Sequence, residues 1–173
     1  MQTLDHDEVT IHIDSRPDEV YALIADVTRT PQFSPEVLSC VWLDGATGPA
    51  VGARFEATNK VRRGRSWKYR PVVTVAETGK EFAFSRTEKV TGTLVWRYRF
   101  QPAGTGTHVS ESYEVTRPVS RVGWFVMERF FGSRDRRAEL RAGMQQTLER
   151  LKAAAEAEQA ATGQTPSTRA EPG

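Results

Sequence analysis

In the stretch THVSESYEVTR, residues 107–117, a carboxylate falls in step with apolar side chains. Successive strand residues point to opposite faces, so Val109, Glu111, Tyr113 and Val115 share one side and His108, Ser110, Ser112 and Glu114 the other. Burying an unpaired charge costs several kcal/mol at a rough estimate, so Glu111 requires a partner, water or a shifted pKa. A carboxyl group so placed can hold the polar head of a ligand or move a proton. The preceding stretch GTLVWRYRFQP, residues 92–102, alternates in the same way. It sets Leu94, Trp96, Tyr98 and Phe100 against Thr93, Val95, Arg97 and Arg99, and the aromatic face must be covered by something.

Other chemistries lack their residues. His6, His12 and His108 have no ligand-spaced neighbours, and the single cysteine, Cys40, stands alone in a strand-like run, so no metal site is expected. Cys40 reads as a small buried hydrophobe, and a lone cysteine excludes an internal disulfide and fits a reducing compartment. No glycine-rich phosphate loop or nucleophile elbow occurs, which leaves phosphoryl transfer and serine hydrolysis unsupported. No cofactor is expected. The 24 basic and 22 acidic residues balance to a net +2, too even for a nucleic-acid binder. The first residues, MQTLDHDE, carry no apolar run, and no segment approaches the ~18 apolar residues of a membrane span, so the expected location is cytoplasmic.

The elements that must position these side chains follow from periodicity. EVTIHI alternates from Glu8, and Ser15 followed by Asp18, with Pro17 between them, reads as a capping pair that opens a helix. Val20, Leu23, Ile24 and Val27 recur at helical spacing, and Pro31 and Pro35 limit the helical region to two short pieces. VLSCVWLD, ARFEATNKV, SWKYRPVVTVAE and EFAFSRTE then read as strands, the last two flanking a Thr78-Gly79-Lys80 turn, for about seven strands in all. From Pro118 the period is helical. Leu140, Met144, Thr147, Leu148 and Leu151 form one stripe of a long amphipathic helix. A single domain over 8–156 is expected, with a flexible start at 1–7 and a disordered, polar tail at 157–173.

This order resembles the START-like helix-grip fold, in the SRPBCC branch of polyketide cyclase/dehydrase and lipid transport proteins. IDSRPDEVYALIADVTRTPQFSPEV is similar to that family's opening signature, VGARFEATNK to its second hairpin, WRYRFQPAGTGTHVSESYEV to its closing strands and RAGMQQTLERLKAAAE to its grip helix. Phe33 stands where the family usually carries a tryptophan. The resemblance implies an α+β fold: a seven-stranded curved antiparallel sheet, two short helices after the first strand, and a long C-terminal helix across the concave face. A bent sheet gripped by a helix leaves a cavity suited to apolar ligands. Members of the family include lipid carriers, aromatase/cyclases and regulatory proteins, and fold alone does not choose among them.

Strand parity within that fold assigns the cavity wall. Phe55, Ala57 and Asn59 face it from one strand, Trp67, Tyr69 and Val73 from the next, then Phe82, Phe84 and Arg86, then Trp96, Tyr98 and Phe100, then Glu111 and Tyr113, with Met144 and Leu148 from the helix. Parity is open to slippage around Pro71. Asn59, Arg86, Tyr98, Glu111 and Tyr113 are candidates to hold a ligand head or to shuttle protons in an aldol-type cyclisation, or else Glu111 and Arg86 neutralise each other.

Three further segments bear on partners. The basic run Lys60, Arg62, Arg63, Arg65, Lys68, Arg70 and the cluster Arg134, Arg136, Arg137, Arg141 are either solvated surface or contacts for anionic lipid or an acidic partner, at roughly 1 kcal/mol each. GWFVMERFF, residues 123–131, is apolar on more than one helical face, which suits burial, a ligand, peripheral membrane contact or a homodimer. The leading expectation is binding of a small hydrophobic molecule as carrier or sensor. The alternatives are a cofactor-independent polyketide cyclase and a regulatory or stress-response module acting through a partner protein.

Overall fold

The computed structural model describes residues 5–60, 66–88, 92–118, 120 and 135–163. Strand β1 (His6–Ile13) leads into helix α1 (Pro17–Ala25), a 3-10 turn (Val27–Arg29) and helix α2 (Thr30–Phe33). Strands β2 (Val37–Trp42), β3 (Phe55–Lys60), β4 (Ser66–Tyr69), β5 (Val72–Glu77), β6 (Glu81–Glu88), β7 (Gly92–Ala103) and β8 (Gly106–Arg117) follow, and helix α3 (Arg136–Gly163) comes last. The GWFVMERFF segment lies outside the described residues. The first strand starts at His6 rather than Glu8, and the last helix continues past Glu156 to Gly163.

The strands pair antiparallel in the order β1-β8-β7-β6-β5, with β2-β3-β4 as a second group. The groups meet where Arg54 bridges Val72, reinforced by Val73 N–H donating to Ala53 O at 2.9 Å. The expected strand SWKYRPVVTVAE is therefore two. Pro71 has no N–H for a ladder, so β4 ends before it and pairs with β3, while β5 begins after it and pairs with β6. That break makes eight strands among the described residues instead of about seven. A bulge between Val73 and Val75 shifts parity again within β5.

The start of α1 also differs by one residue from the expected cap. Arg16, not Ser15, is the N-cap, and Glu19 Oε2 accepts from Arg16 N–H at 3.3 Å and from Ser15 Oγ–H at 2.8 Å. Proline suits the first helical position because its missing N–H has no partner there, which makes the preceding residue the cap. Glu19 then stands three residues beyond the cap, where its longer side chain reaches back as Asp18 cannot.

Leu140, Met144, Leu148, Leu151 and Ala155 are buried along α3, which packs on β1, β8, α1 and α2. Burial of each large aliphatic side chain contributes about 1.5–3 kcal/mol, enough to seat the helix against the sheet. Phe33 is fully buried at the end of α2, so phenylalanine fills the aromatic position. No described helix is long and apolar enough to cross a membrane. Ala155 is the last buried residue of α3, and 157–162 are exposed. A chain ended after Glu158 keeps the exposed Arg29–Glu158 pair and should melt within about 1 °C of the full chain, since 159–162 are exposed. A loss of several degrees in a thermal melt would mean that the tail docks on the domain.

Candidate functional site

A cavity of about 1520 Å³ lies between the concave side of the strands, the short helices and α3. Drug-sized ligands occupy pockets of roughly 300–1,000 Å³, so this space admits a larger molecule. Alternate residues build its wall because each strand turns every second side chain inward. Phe55, Ala57 and Asn59 come from β3, and Trp67 and Tyr69 from β4. Phe82, Phe84 and Arg86 of β6, Leu94, Trp96 and Tyr98 of β7 and Glu111 of β8 continue it, and Met144 closes it from α3. The aromatic rings interlock edge to face, with Phe55 and Phe84 centroids 5.3 Å apart and Trp42 and Phe55 5.8 Å apart.

Four expected wall residues stand elsewhere. Phe100 is covered by Tyr21 of α1, their rings 5.7 Å apart, because the hairpin end of β7 passes under that helix. Tyr113 is buried against Trp96 at 5.7 Å, and Leu148 lies wholly within the core one turn along from Met144. Val73 is also core, beside the break at Pro71.

Tyr98 and Glu111 form one polar pair in the cavity wall. Residues 98 and 111 are directly opposed in the β7–β8 ladder, and Tyr98 Oη donates to Glu111 Oε1 at 2.7 Å. Both residues are buried. Glu111 Oε2 and Asn59 Oδ1 are buried without a hydrogen-bond partner. Loss of solvent pushes the Glu111 carboxyl up to about 8, with the Tyr98 hydrogen bond opposing only part of that. At neutral pH the group is therefore mainly the uncharged acid, with a proton available at Oε2. Burial, then the adjacent Glu111, drives the Tyr98 hydroxyl well above the ordinary tyrosine range, so Tyr98 stays a donor.

Arg86 does not neutralise Glu111. Its guanidinium lies over the Tyr69 ring, 4.8 Å from the centroid, and among the described residues no carboxylate forms an ion pair with it. Burial raises the Tyr69 hydroxyl while Arg86 and a hydrogen bond from Asn59 lower it, which places these three residues in one neighbourhood. Burial likewise pushes the Cys40 thiol up to about 11, and this wall residue is inert as a nucleophile.

At the rim Arg136 pairs with Glu36 at 3.1 Å and with Glu139 at 3.4 Å. Arg141 pairs with Asp7 at 2.5 Å, and Lys68 and Arg70 both pair with Glu56, at 2.6 and 3.2 Å. Much of the charge that reads as a basic surface is thus matched within the chain. Arg62, Arg63, Arg65 and Arg134 lie outside the described residues. Sequence reasoning missed Glu36, Cys40 and the rim of α3 as cavity residues. Cys40 reaches the wall because β2 pairs it with Ala57, and Glu36 lies just before that strand, placements that depend on which strands pair. Among the described residues no group of His, Cys, Asp and Glu is placed to hold a metal ion.

Trp96 borders this space and is only partly buried. Trp96→Ala should cost about 1–2 kcal/mol in a denaturant melt, less than the ~3–5 kcal/mol of a fully packed ring, because one side of the indole already lacks neighbours. A loss of the full packed-core size would show that the cavity is closed around it.

A model of the family described as polyketide cyclase / dehydrase and lipid transport matches residues 6–156. A solved polyketide-cyclase-like protein from Corynebacterium glutamicum is similar at 30% identity, covering 95% of this chain and 99% of that one, with a TM-score of 0.58. The di-domain ARO/CYC StfQ of the steffimycin biosynthetic pathway is similar at 17% identity and a TM-score of 0.72, over 90% of this chain and 52% of that one. A START superfamily protein from Mycobacterium smegmatis is similar at 13% identity and a TM-score of 0.66, over 88% of this chain and 98% of that one. No curated protein matches the chain by sequence.

Proposed function

Because the chain belongs to the polyketide cyclase / dehydrase and lipid transport family, we propose that it holds a small hydrophobic molecule in its cavity, as a carrier or sensor. The observation that carries this reading is the large aromatic-walled cavity with buried polar groups in its wall, the Glu111–Tyr98 pair and Asn59 beside Tyr69. Apolar walls supply affinity, and a few buried polar groups orient what enters. The orphaned Glu111 Oε2 and Asn59 Oδ1 define what the ligand presents there: an acceptor, such as a ketone oxygen, for the acid proton and a hydroxyl for the amide oxygen. Native mass spectrometry of the protein purified from its own host tests the reading. A retained mass of lipid, polyketide or isoprenoid type is expected. An empty protein that also fails to bind a fluorescent fatty-acid analogue overturns it.

A second reading, polyketide cyclisation, is supported by the protonation state of Glu111. A carboxyl raised to about 8 is matched to general acid–base work near neutral pH. It would donate its Oε2 proton to a carbonyl oxygen as an enol carbon of the same ligand adds to that carbonyl carbon, and the carboxylate left behind would take up the enol hydroxyl proton, which regenerates the acid, with Tyr98 holding the carboxyl in place. Glu111→Gln separates the two readings, because an amide N–H replaces the hydrogen-bond donor but cannot release a proton. If the protein is a carrier, the variant binds a polyketide probe about as well as the parent. If it is a cyclase, binding persists while turnover falls by at least about a hundredfold.

A further inference from the structure

Among the described residues the cavity holds a cation, Arg86, with no carboxylate in an ion pair with it. Arg86 extends from β6 into the wall, and its only described partner is the face of Tyr69 at 4.8 Å. The other basic residues with described partners at or near the rim, Arg136, Lys68 and Arg70, are each matched to a carboxylate. Stacking on a ring satisfies one face of a guanidinium but none of its five N–H donors, which lie in the plane and suit a carboxylate. Glu111, the buried acid of the same cavity, is turned to Tyr98 instead. Beside the stacked pair, Asn59 is buried with its Oδ1 unpartnered, and it contacts the Tyr69 hydroxyl. Neither Glu111 nor Asn59 offers Arg86 a counter-charge, so the matching anion must arrive with the ligand.

We infer that Arg86 anchors a carboxylate, so that the ligand of this cavity is an amphipathic acid whose apolar chain runs along Phe84, Trp96 and Phe82. The inference rests on the ligand-binding reading above and narrows it to one chemical class. Arg86 lines the open space with its guanidinium 4.8 Å from the Tyr69 ring centroid, and the cavity bordered by the aromatic side chains of β6 and β7 has the volume for a long chain.

The test is calorimetric titration of the full chain with hexadecanoic acid, hexadecanol and methyl hexadecanoate. The acid is expected to bind at least about tenfold more tightly than the alcohol or the ester, the effect of one or two charge-assisted hydrogen bonds. Arg86→Gln should erase that preference, bringing the acid-to-alcohol affinity ratio to about one, and Arg86→Lys should retain part of it. Equal binding of all three compounds to the parent protein overturns the carboxylate assignment and leaves the cavity reading standing. So does an acid preference that survives in Arg86→Gln. If none of the three binds, the carboxylate assignment falls, and the cavity reading falls with it only if native mass spectrometry also finds the protein empty. The comparison within the parent protein needs no variant, so misfolding of Arg86→Gln would not remove the test.

Discussion

Replacing Glu111 with glutamine is expected to stabilise the protein at pH 8 and to flatten the pH dependence of its stability. In the unfolded chain the carboxyl titrates near 4.5, and in the folded protein burial raises it to about 8. Below the lower value both states hold the proton and Glu111 adds no pH dependence. Between the two the unfolded chain has released a proton that the folded chain keeps. Stability therefore declines by ~1.4 kcal/mol for each pH unit, and the decline ends above about pH 8. The accumulated penalty is about 3–5 kcal/mol at the upper end. The glutamine side chain is neutral throughout and still offers Tyr98 an acceptor, so the variant escapes that penalty. Denaturant melts of both proteins from pH 4 to 9 should start together and diverge, the parent falling faster. Parallel curves would show that Glu111 is solvated. The opposite result, a variant less stable at neutral pH by about 3–5 kcal/mol, is what an Arg86 ion pair would have produced. The position of Arg86 over Tyr69 argues against it.

Gly106→Ala should be among the most damaging single methyl additions in the sheet. A Cβ there would stand 2.3 Å from the carbonyl oxygen of Ile13 and 2.9 Å from the His12 ring. The imidazole can rotate away, but the backbone oxygen cannot move without displacing the end of β1. That end is fixed by the Ile13–Thr107 pairing and by the buried hydrogen bond from Thr107 Oγ1 to Ser15 O at 2.7 Å. Relief of the clash pulls β1 and the start of α1 off the hairpin, and a cost of about 3 kcal/mol or more follows from overpacking together with the lost buried hydrogen bond. Gly104 in the same turn provides the control. It has a φ of 62° and nothing within 4 Å of where an added methyl would stand, so Gly104→Ala costs only ~1 kcal/mol of backbone strain. If the two variants melt alike, β1 is not seated on the hairpin as described.

The repeating features of the chain were legible without coordinates. Alternation in residues 92–117 makes a long antiparallel pair whatever surrounds it, because side-chain direction depends only on backbone geometry. That put Tyr98 and Glu111 on one face, and the stripe from Leu140 to Leu151 likewise dictated a helix packed against the sheet. Their partners were decided by tertiary structure. Whether the carboxyl of Glu111 met Arg86 or Tyr98 depended on register across three strands: Tyr98 stands directly opposite Glu111, whereas Arg86 stands opposite Leu94, four residues along β7. Phe100 and Leu148 share the parity or helix face of wall residues, yet they became core because α1 and the sheet close over them. Periodicity tells which way a side chain points, and only the packed chain decides whether it meets another side chain or an open cavity.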